Sequence, residues 1–295
     1  MNSGPSRRLA VVIVNYNAGC HLQACLASLV EHLAGFDWKA VVVDNCSTDG
    51  SAQAVAGFVP RASLVQNPEN LGFARAINQG TAATTAPLVL LLNPDARLTS
   101  SAVESLYAEL VSHPECGVIG PAVTNEDGTI QGSARGDPDM ITGLFGRSTL
   151  LTRLFPRSAL ARRNVMTSVA SRPGETSVEV DWVSGACMLV RRGVFDQVGG
   201  FDERFFLYWE DADFCRRVRD AGSRVRYHPD ARVVHAVGRS SQAIRPLAVR
   251  EFHRSAYLYY SLHVHSWWHP ARWMAFVLLR ARCWWVLRRE AGLKP

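Results

Sequence analysis

Leu9–Val14 (LAVVIV) is an unbroken apolar run that stops at the polar Asn15, and the pattern recurs down the first half of the chain. Ala40–Val43 stops at Asp44, Ser63–Gln66 is a third short run, and Leu88–Leu92 stops at Asn93-Pro94-Asp95. Continuous rather than alternating apolar residues mark strands covered on both faces, as in a parallel sheet. Helical spacing fills the gaps. Leu22, Cys25, Leu26, Leu29 and Val30 share one face, Gly72–Ala83 reads as a second helix, and Val103, Leu106, Tyr107, Leu110 and Val111 share a face of a third. Asp49-Gly50-Ser51 reads as a turn into a helix, and Ser101 with Glu104 predicts a capping box. The alternation predicts an α/β fold with a doubly wound, mostly parallel sheet.

Such sheets bind ligands beyond the carboxyl ends of their strands. Three of these ends are polar in phase: Asn15 and Asn17, Asp44 and Asn45, Asn93 and Asp95. A helix cap explains any one of them, but three together predict a ligand edge.

The second half is less regular. Asn125-Glu126-Asp127-Gly128 reads as a hairpin turn, and Val178–Val183 and Ala186–Val190 as strands around Ser184-Gly185. Glu210-Asp211 opens a helix running to Ala221 and closed by Gly222, followed by short strands at Arg224–Tyr227 and Arg232–His235. Residues 135–172 lack a clean period and are expected to form a long, mobile loop or a loosely helical insert. The expected organisation is a catalytic domain over 1–240, with halves 1–124 and 125–240, and a helical tail over 241–295.

The net charge of +6 sits mainly in arginines of 135–172 and the tail; Lys39 and Lys294 are the only lysines. Seven cysteines without a CxxC pattern predict a reduced, cytoplasmic protein without a zinc site. The opening MNSGPSRRLAVVIV runs into a strand without a separate apolar leader, which predicts no signal peptide.

Asp95 ends a buried strand at the ligand edge, so it reads as a metal ligand or as a helix cap. His235 ends a later strand and reads as a ligand or a core histidine. Glu210, Asp211 and Asp213 stand at a helix start, where the dipole favours acids with or without catalysis. On spacing alone these alternatives stay open.

The segments VVIVNYNAGCHLQACLASL, VVVDNCSTDGS, NLGFARAINQG, LLLNPDA and VSGACMLVRRGVFDQVGGFDERFFLYWEDADFCRRVRDAG resemble family 2 glycosyltransferases, notably the bacterial rhamnosyltransferase-like subgroup. The resemblance spans about residues 9–240 in the family's order. It implies a GT-A fold and an inverting, metal-dependent sugar transfer. It also implies roles: Asp44 on the pyrimidine base, with Asn15, Tyr16, Asn45 and Arg75 around the donor. Asn93 and Asp95 match the metal motif, with Asn93 where the strict motif has Asp. His235 completes the Mg2+ or Mn2+ site, Asp211 is the base and Glu210 supports it.

The implied donor is a dTDP- or UDP-sugar, with dTDP-rhamnose first. The acceptor is a glycan or a polyprenyl-diphosphate-linked sugar of cell-surface polysaccharide synthesis. An inactive sugar-nucleotide-binding homologue is one alternative. A nucleotidyltransferase is another, but its triphosphate-gripping loop is missing, since Tyr16–Cys20 holds no basic residue. A nucleic-acid binder does not explain the phased strand ends.

The tail holds Trp267, Trp268, Trp273, Trp284 and Trp285 beside Arg272, Arg280, Arg282, Arg288 and Arg289. Trp and Arg suit a headgroup zone, although along the sequence the arginines do not gather on one face. A peripheral protein on the inner face of the cell membrane is expected. The competing expectation is a tail packed on the catalytic domain or on a second copy in a homodimer.

Overall fold

The computed structural model describes residues 7–137, 176–236, 245–263 and 268–291. Most of the loop expected over 135–172 therefore lies outside the described residues. The first half is built as the apolar pattern predicts: β1 (Arg8–Asn15), α1 (His21–His32), β2 (Asp37–Asp44), a 3-10 turn (Ser51–Phe58), β3 (Ala62–Gln66), α2 (Phe73–Ala82) and β4 (Leu88–Leu92). Then come β5 (Ala96–Leu98), α3 (Ala102–Ser112) and β6 (Cys116–Thr124). The second half holds the short β7 (Ala134–Arg135), β8 (Val178–Glu179) and β9 (Trp182–Val183). After them run β10 (Cys187–Arg191), α4 (Arg192–Gln197), α5 (Glu210–Asp220), β11 (Arg224–His235), α6 (Arg245–His263) and α7 (Pro270–Glu290).

The main sheet runs β3-β2-β1-β4-β10-β6-β11-β5, with β8 on β11. β3, β2, β1 and β4 are parallel, whereas β10 enters antiparallel between β4 and β6. Alternate residues of β1 feed two cores. Val11 and Ile13 pack with α1 and α3, and Val12 and Val14 pack with α2 and α5. That two-sided burial is why these strands read as continuous apolar runs.

Some local expectations change. Ser101 takes a left-handed backbone (φ 60°), so its hydroxyl bonds Ser100 O instead of capping α3. Glu104 instead receives the Arg7 guanidinium through both oxygens. The two strands expected over 224–235 are one, β11, with an irregularity between His228 and Arg232. The run expected over Val178–Val183 splits into β8, paired with β11, and β9, paired with β7.

The step from β4 to β5 positions the site. The chain leaves the end of β4, crosses the ends of β10 and β6, and adds β5 to the outer side of β11. Ala96 is in register with His235, and Ala236 N–H donates to Asp95 O at 3.0 Å. Two residues far apart in sequence are thereby set side by side.

Candidate active site at the carboxyl edge of the sheet

Asn15 and Asp44 are register partners at the ends of β1 and β2. The buried Asn15 Nδ2 donates to Asp44 Oδ1 (2.6 Å), Ser51 Oγ (2.8 Å) and Ser47 Oγ (3.1 Å), while Ser47 N–H donates to Asp44 Oδ2. The Asp44 carboxylate is thus held at both oxygens, each keeping a further lone pair for a ligand donor. Beside it Asn45 and Asn67 are linked at 2.9 Å, Asn67 pairs reciprocally with Gln79, and Asn45 Nδ2 donates to Gly72 O. Gly72 must be glycine. Its φ is +85°, and a Cβ there would lie 2.6 Å from Phe206 O. Asn15 Oδ1 is buried with no hydrogen-bond partner, an acceptor left over by the network. Tyr16 follows, half-buried.

A second cluster forms where β5 meets β11. His235 Nε2 is 3.0 Å from Asp95 Oδ1 and 3.3 Å from Asn93 Nδ2. Its other nitrogen, Nδ1, faces Gln131 Oε1 at 3.1 Å. Gln131 is not free to turn, because its Nε2 donates to Asn125 Oδ1 and His235 O, both at 2.9 Å. Nδ1 therefore carries a proton and donates it to Gln131. Nε2 is left pointing at the Asp95 carboxylate, with the Asn93 amide beside it. The cluster fits a divalent ion: a carboxylate, an imidazole with its tautomer set, and an amide. Among the described residues no three His, Cys, Asp or Glu converge, and the third polar group beside Asp95 and His235 is the Asn93 amide.

The third cluster opens α5. Asp211 Oδ2 accepts Gly185 N–H at 3.0 Å, and Oδ1 accepts Ala212 N–H at 2.9 Å. Ala186 O in turn accepts Asn93 N–H at 3.0 Å. The turn Ser184–Ala186 therefore holds Asp211 on one side and the Asn93–Asp95 segment on the other. Burial pushes the Asp211 carboxyl above the usual aspartate range, while the two N–H donors and the Arg135 charge pull it down. Burial, with the charge of Asp211, lifts Glu210 well above the glutamate range, and its Oε2 has no hydrogen-bond partner.

Tyr208 and Trp209, just before these acids, both adopt left-handed backbone (φ 68° and 71°). For residues of this size that is strained, on the order of 1 kcal/mol each. Helix α6 braces the elbow. Ser255 Oγ donates to Leu207 O, Phe252 packs on Tyr208 and Trp209, Tyr259 packs on Trp209, and His263 Nε2 donates to the buried Asp213 at 2.7 Å.

Of the residues singled out in the sequence, Asn15, Asp44 and Asn45 form one group, Asn93, Asp95 and His235 a second, and Glu210 and Asp211 a third. The second and third are joined through Ser184–Ala186. Arg75 stands apart on the exposed side of α2, paired with Glu203 at 3.0 Å. Sequence reading missed Ser47, Ser51, Asn67, Gln131, Arg135 and Gly185. Asn67 alone carried a signal, since it follows the end of β3 as Asn45 follows the end of β2.

A family model for glycosyl transferase family 2 matches residues 10–199. The N-acetylglucosaminyl-diphospho-decaprenol L-rhamnosyltransferase of Mycobacterium tuberculosis (strain CDC 1551 / Oshkosh) is 34% identical over 279 residues, covering 90% of this chain and 88% of that protein. Two solved structures share the fold. GalNAc-T7 with UDP, GalNAc and Mn2+ aligns with a TM-score of 0.62 at 14% identity, over 86% of this chain and 48% of that one. The mannosyltransferase PcManGT from Pyrobaculum calidifontis, in complex with GDP-Man and Mn2+, aligns at 0.56 and 18% identity, over 99% of this chain and 82% of that one.

Proposed function

Because the chain belongs to glycosyl transferase family 2 and has the GT-A fold, we propose that it moves rhamnose from dTDP-rhamnose onto a GlcNAc carried on a lipid diphosphate, with inversion at the anomeric carbon. The rhamnosyl donor and lipid-linked acceptor follow the relative that is 34% identical along 90% of the chain. One observation carries the mechanism. The turn Ser184–Ala186 binds Asp211 by Gly185 N–H and the Asn93–Asp95 segment by Ala186 O. The groups that this reading assigns to proton transfer and to the diphosphate are thereby held by one turn.

In this reading Asp44 and Asn15 hold the base end of the donor, with Tyr16 and Asn45 beside them and Arg75 on the flank. Asp211 takes the proton from the acceptor hydroxyl as that oxygen attacks the anomeric carbon on the face opposite the diphosphate. The Gly185 and Ala212 N–H groups hold the Asp211 carboxylate in one orientation during that transfer. Asp95, His235 and Asn93 would hold Mg2+ or Mn2+, which when bound neutralises charge developing on the departing diphosphate. Among the described residues no helix is long and apolar enough to cross a membrane.

The test offers the purified chain a GlcNAc-diphosphate-lipid with dTDP-rhamnose or UDP-sugars, in Mg2+, Mn2+ or excess chelator. Transfer from dTDP-rhamnose with inverted configuration and loss in chelator is the expected result. Retained configuration overturns the displacement, full turnover in chelator overturns the metal, and transfer only from a UDP-sugar overturns the donor.

A further inference from the structure

Helix α7 is amphipathic in a way its sequence hides. Read in order, its arginines scatter among apolar residues. Exposure sorts them. Ala275 and Leu279 are buried, while Trp273 (64% exposed), Val277 (61%), Trp284 (55%) and Trp285 (47%) lie open, with Met274 and Leu278. At about 100° per residue these six side chains fall in one sector roughly 140° wide. Ala275 and Leu279 lie on the opposite side, the side turned to the protein. Exposed Arg280 and Arg289 stand at the two edges of the sector, and Arg288 lies within it. Arg288 stacks over Trp284 at 4.2 Å and Arg289 over Trp285 at 5.4 Å. The sole acid of α7, Glu290, is spent on Arg245 at 2.8 Å.

The chemistry of this face selects its occupant. An apolar sector of this width is more than single exposed side chains amount to. It is convex and continuous along the helix, not a groove for a peptide. Indole rings with guanidinium groups beside them suit the headgroup zone, where the ring lies among the acyl chains and the cation reaches phosphate. A second copy packed on the same face would bring two sets of three arginines together without acids to meet them.

We propose that this face of α7 seats the protein on an anionic bilayer, the helix lying along the surface with Trp273, Trp284 and Trp285 as anchors and Arg280, Arg288 and Arg289 on lipid phosphates. α7 packs on α6 through Tyr257 and Phe276 (5.1 Å), and α6 holds the elbow before Asp211. The bilayer surface is thus one helix removed from the layer that supports Asp211, the proton acceptor of the proposed reaction. The proposal rests on the lipid-linked-acceptor reading for its purpose, while its evidence is the face itself.

Flotation of the full chain with phosphatidylcholine vesicles, with or without phosphatidylglycerol, tests it. The wild type should float with anionic vesicles, less so in high salt, with a blue-shifted tryptophan emission. The triple variant Trp273→Ser, Trp284→Ser, Trp285→Ser should need at least about tenfold more lipid for half-binding. Arg280→Glu, Arg288→Glu, Arg289→Glu should lose the preference for anionic lipid, needing about 100-fold more phosphatidylglycerol-containing lipid for half-binding. Both variants should keep wild-type transfer to a short-chain, water-soluble acceptor. Val111→Ser, on an exposed apolar residue of α3, should float as the wild type does. Unchanged flotation of the tryptophan variant overturns the proposal. So does a dimer that this variant dissociates in a protein that does not float. Vesicle binding by a chain inert toward every sugar donor would leave the docking face standing and overturn the functional reading instead.

Discussion

Gly185 donates its backbone N–H to Asp211 Oδ2 at 3.0 Å, and the carbonyl of the next residue accepts Asn93 N–H at the same distance. The turn between two strand runs is therefore the strut between the acid at the start of α5 and the polar end of β4. The turn contributes backbone atoms to both bonds, so the only rotatable partner in the strut is the Asp211 side chain itself.

The Gln131–His235 pair yields the first prediction. Replacing Gln131 by Leu removes the acceptor that keeps the Nδ1 proton in place and leaves Nε2 facing Asp95. Outer partners of this kind are worth about 10–100-fold in metal affinity. Calorimetric titration should show Mn2+-dependent binding of nucleoside diphosphate weakened to that extent, with metal-free binding unchanged. Equal weakening with and without metal would assign Gln131 to the fold alone.

Asp211 must be ionised to accept a proton, and burial raises its carboxyl while Arg135 lowers it. Turnover should therefore fall as pH drops through a value above that of an ordinary aspartate. Arg135→Ala withdraws the lowering charge, so the acidic limb of the kcat profile should move to higher pH. A limb that stays in place would remove Arg135 from the electrostatics of the base.

Glu210 supplies a stability prediction. A carboxyl raised in the folded state costs nothing below its unfolded value, and its full cost is present above the folded one. Glu210→Gln should raise Tm at pH 8, by about 2–4 °C for each kcal/mol recovered, with the gain shrinking toward pH 4. A gain that grows toward pH 4 would reverse the assigned sign.

Much of this site was legible before the fold was known. Asn15, Asp44 and Asp95 announce themselves because each ends an apolar run, and strand ends in a parallel sheet share one edge. His235 and Asp211 were legible as residues but not as neighbours of the rest. The crossing that sets Ala96 against His235 is a topological step that no local pattern encodes. Tyr208 and Trp209 gave no warning, since the left-handed backbone is usually marked by Gly or Asn and here tertiary packing imposes it. In α7 the buried strip is made of Ala and Leu, as apolar as the exposed sector, so periodicity alone could not separate the two faces.

The brace on that elbow gives a further prediction. His263→Ala leaves the buried Asp213 carboxylate with Arg217 as its remaining side-chain partner among the described residues. The expected loss is about 1–3 kcal/mol of stability, with kcat falling more than KM rises. A loss of stability with kcat untouched would make α6 a support for the fold and not for the elbow.

The central claim is that Asp211 accepts the proton of the attacking hydroxyl, and Asp211→Asn tests it most directly. Asparagine keeps the size of the side chain, and its one carbonyl oxygen can still accept one of the two N–H groups, but it takes up no proton. In a single-turnover assay with dTDP-rhamnose and the lipid-linked acceptor, transfer should slow by about 10²–10⁴-fold, while calorimetry shows donor binding and Tm near wild type. Transfer at the wild-type rate by this variant would contradict the account and leave Asp211 as the cap of α5.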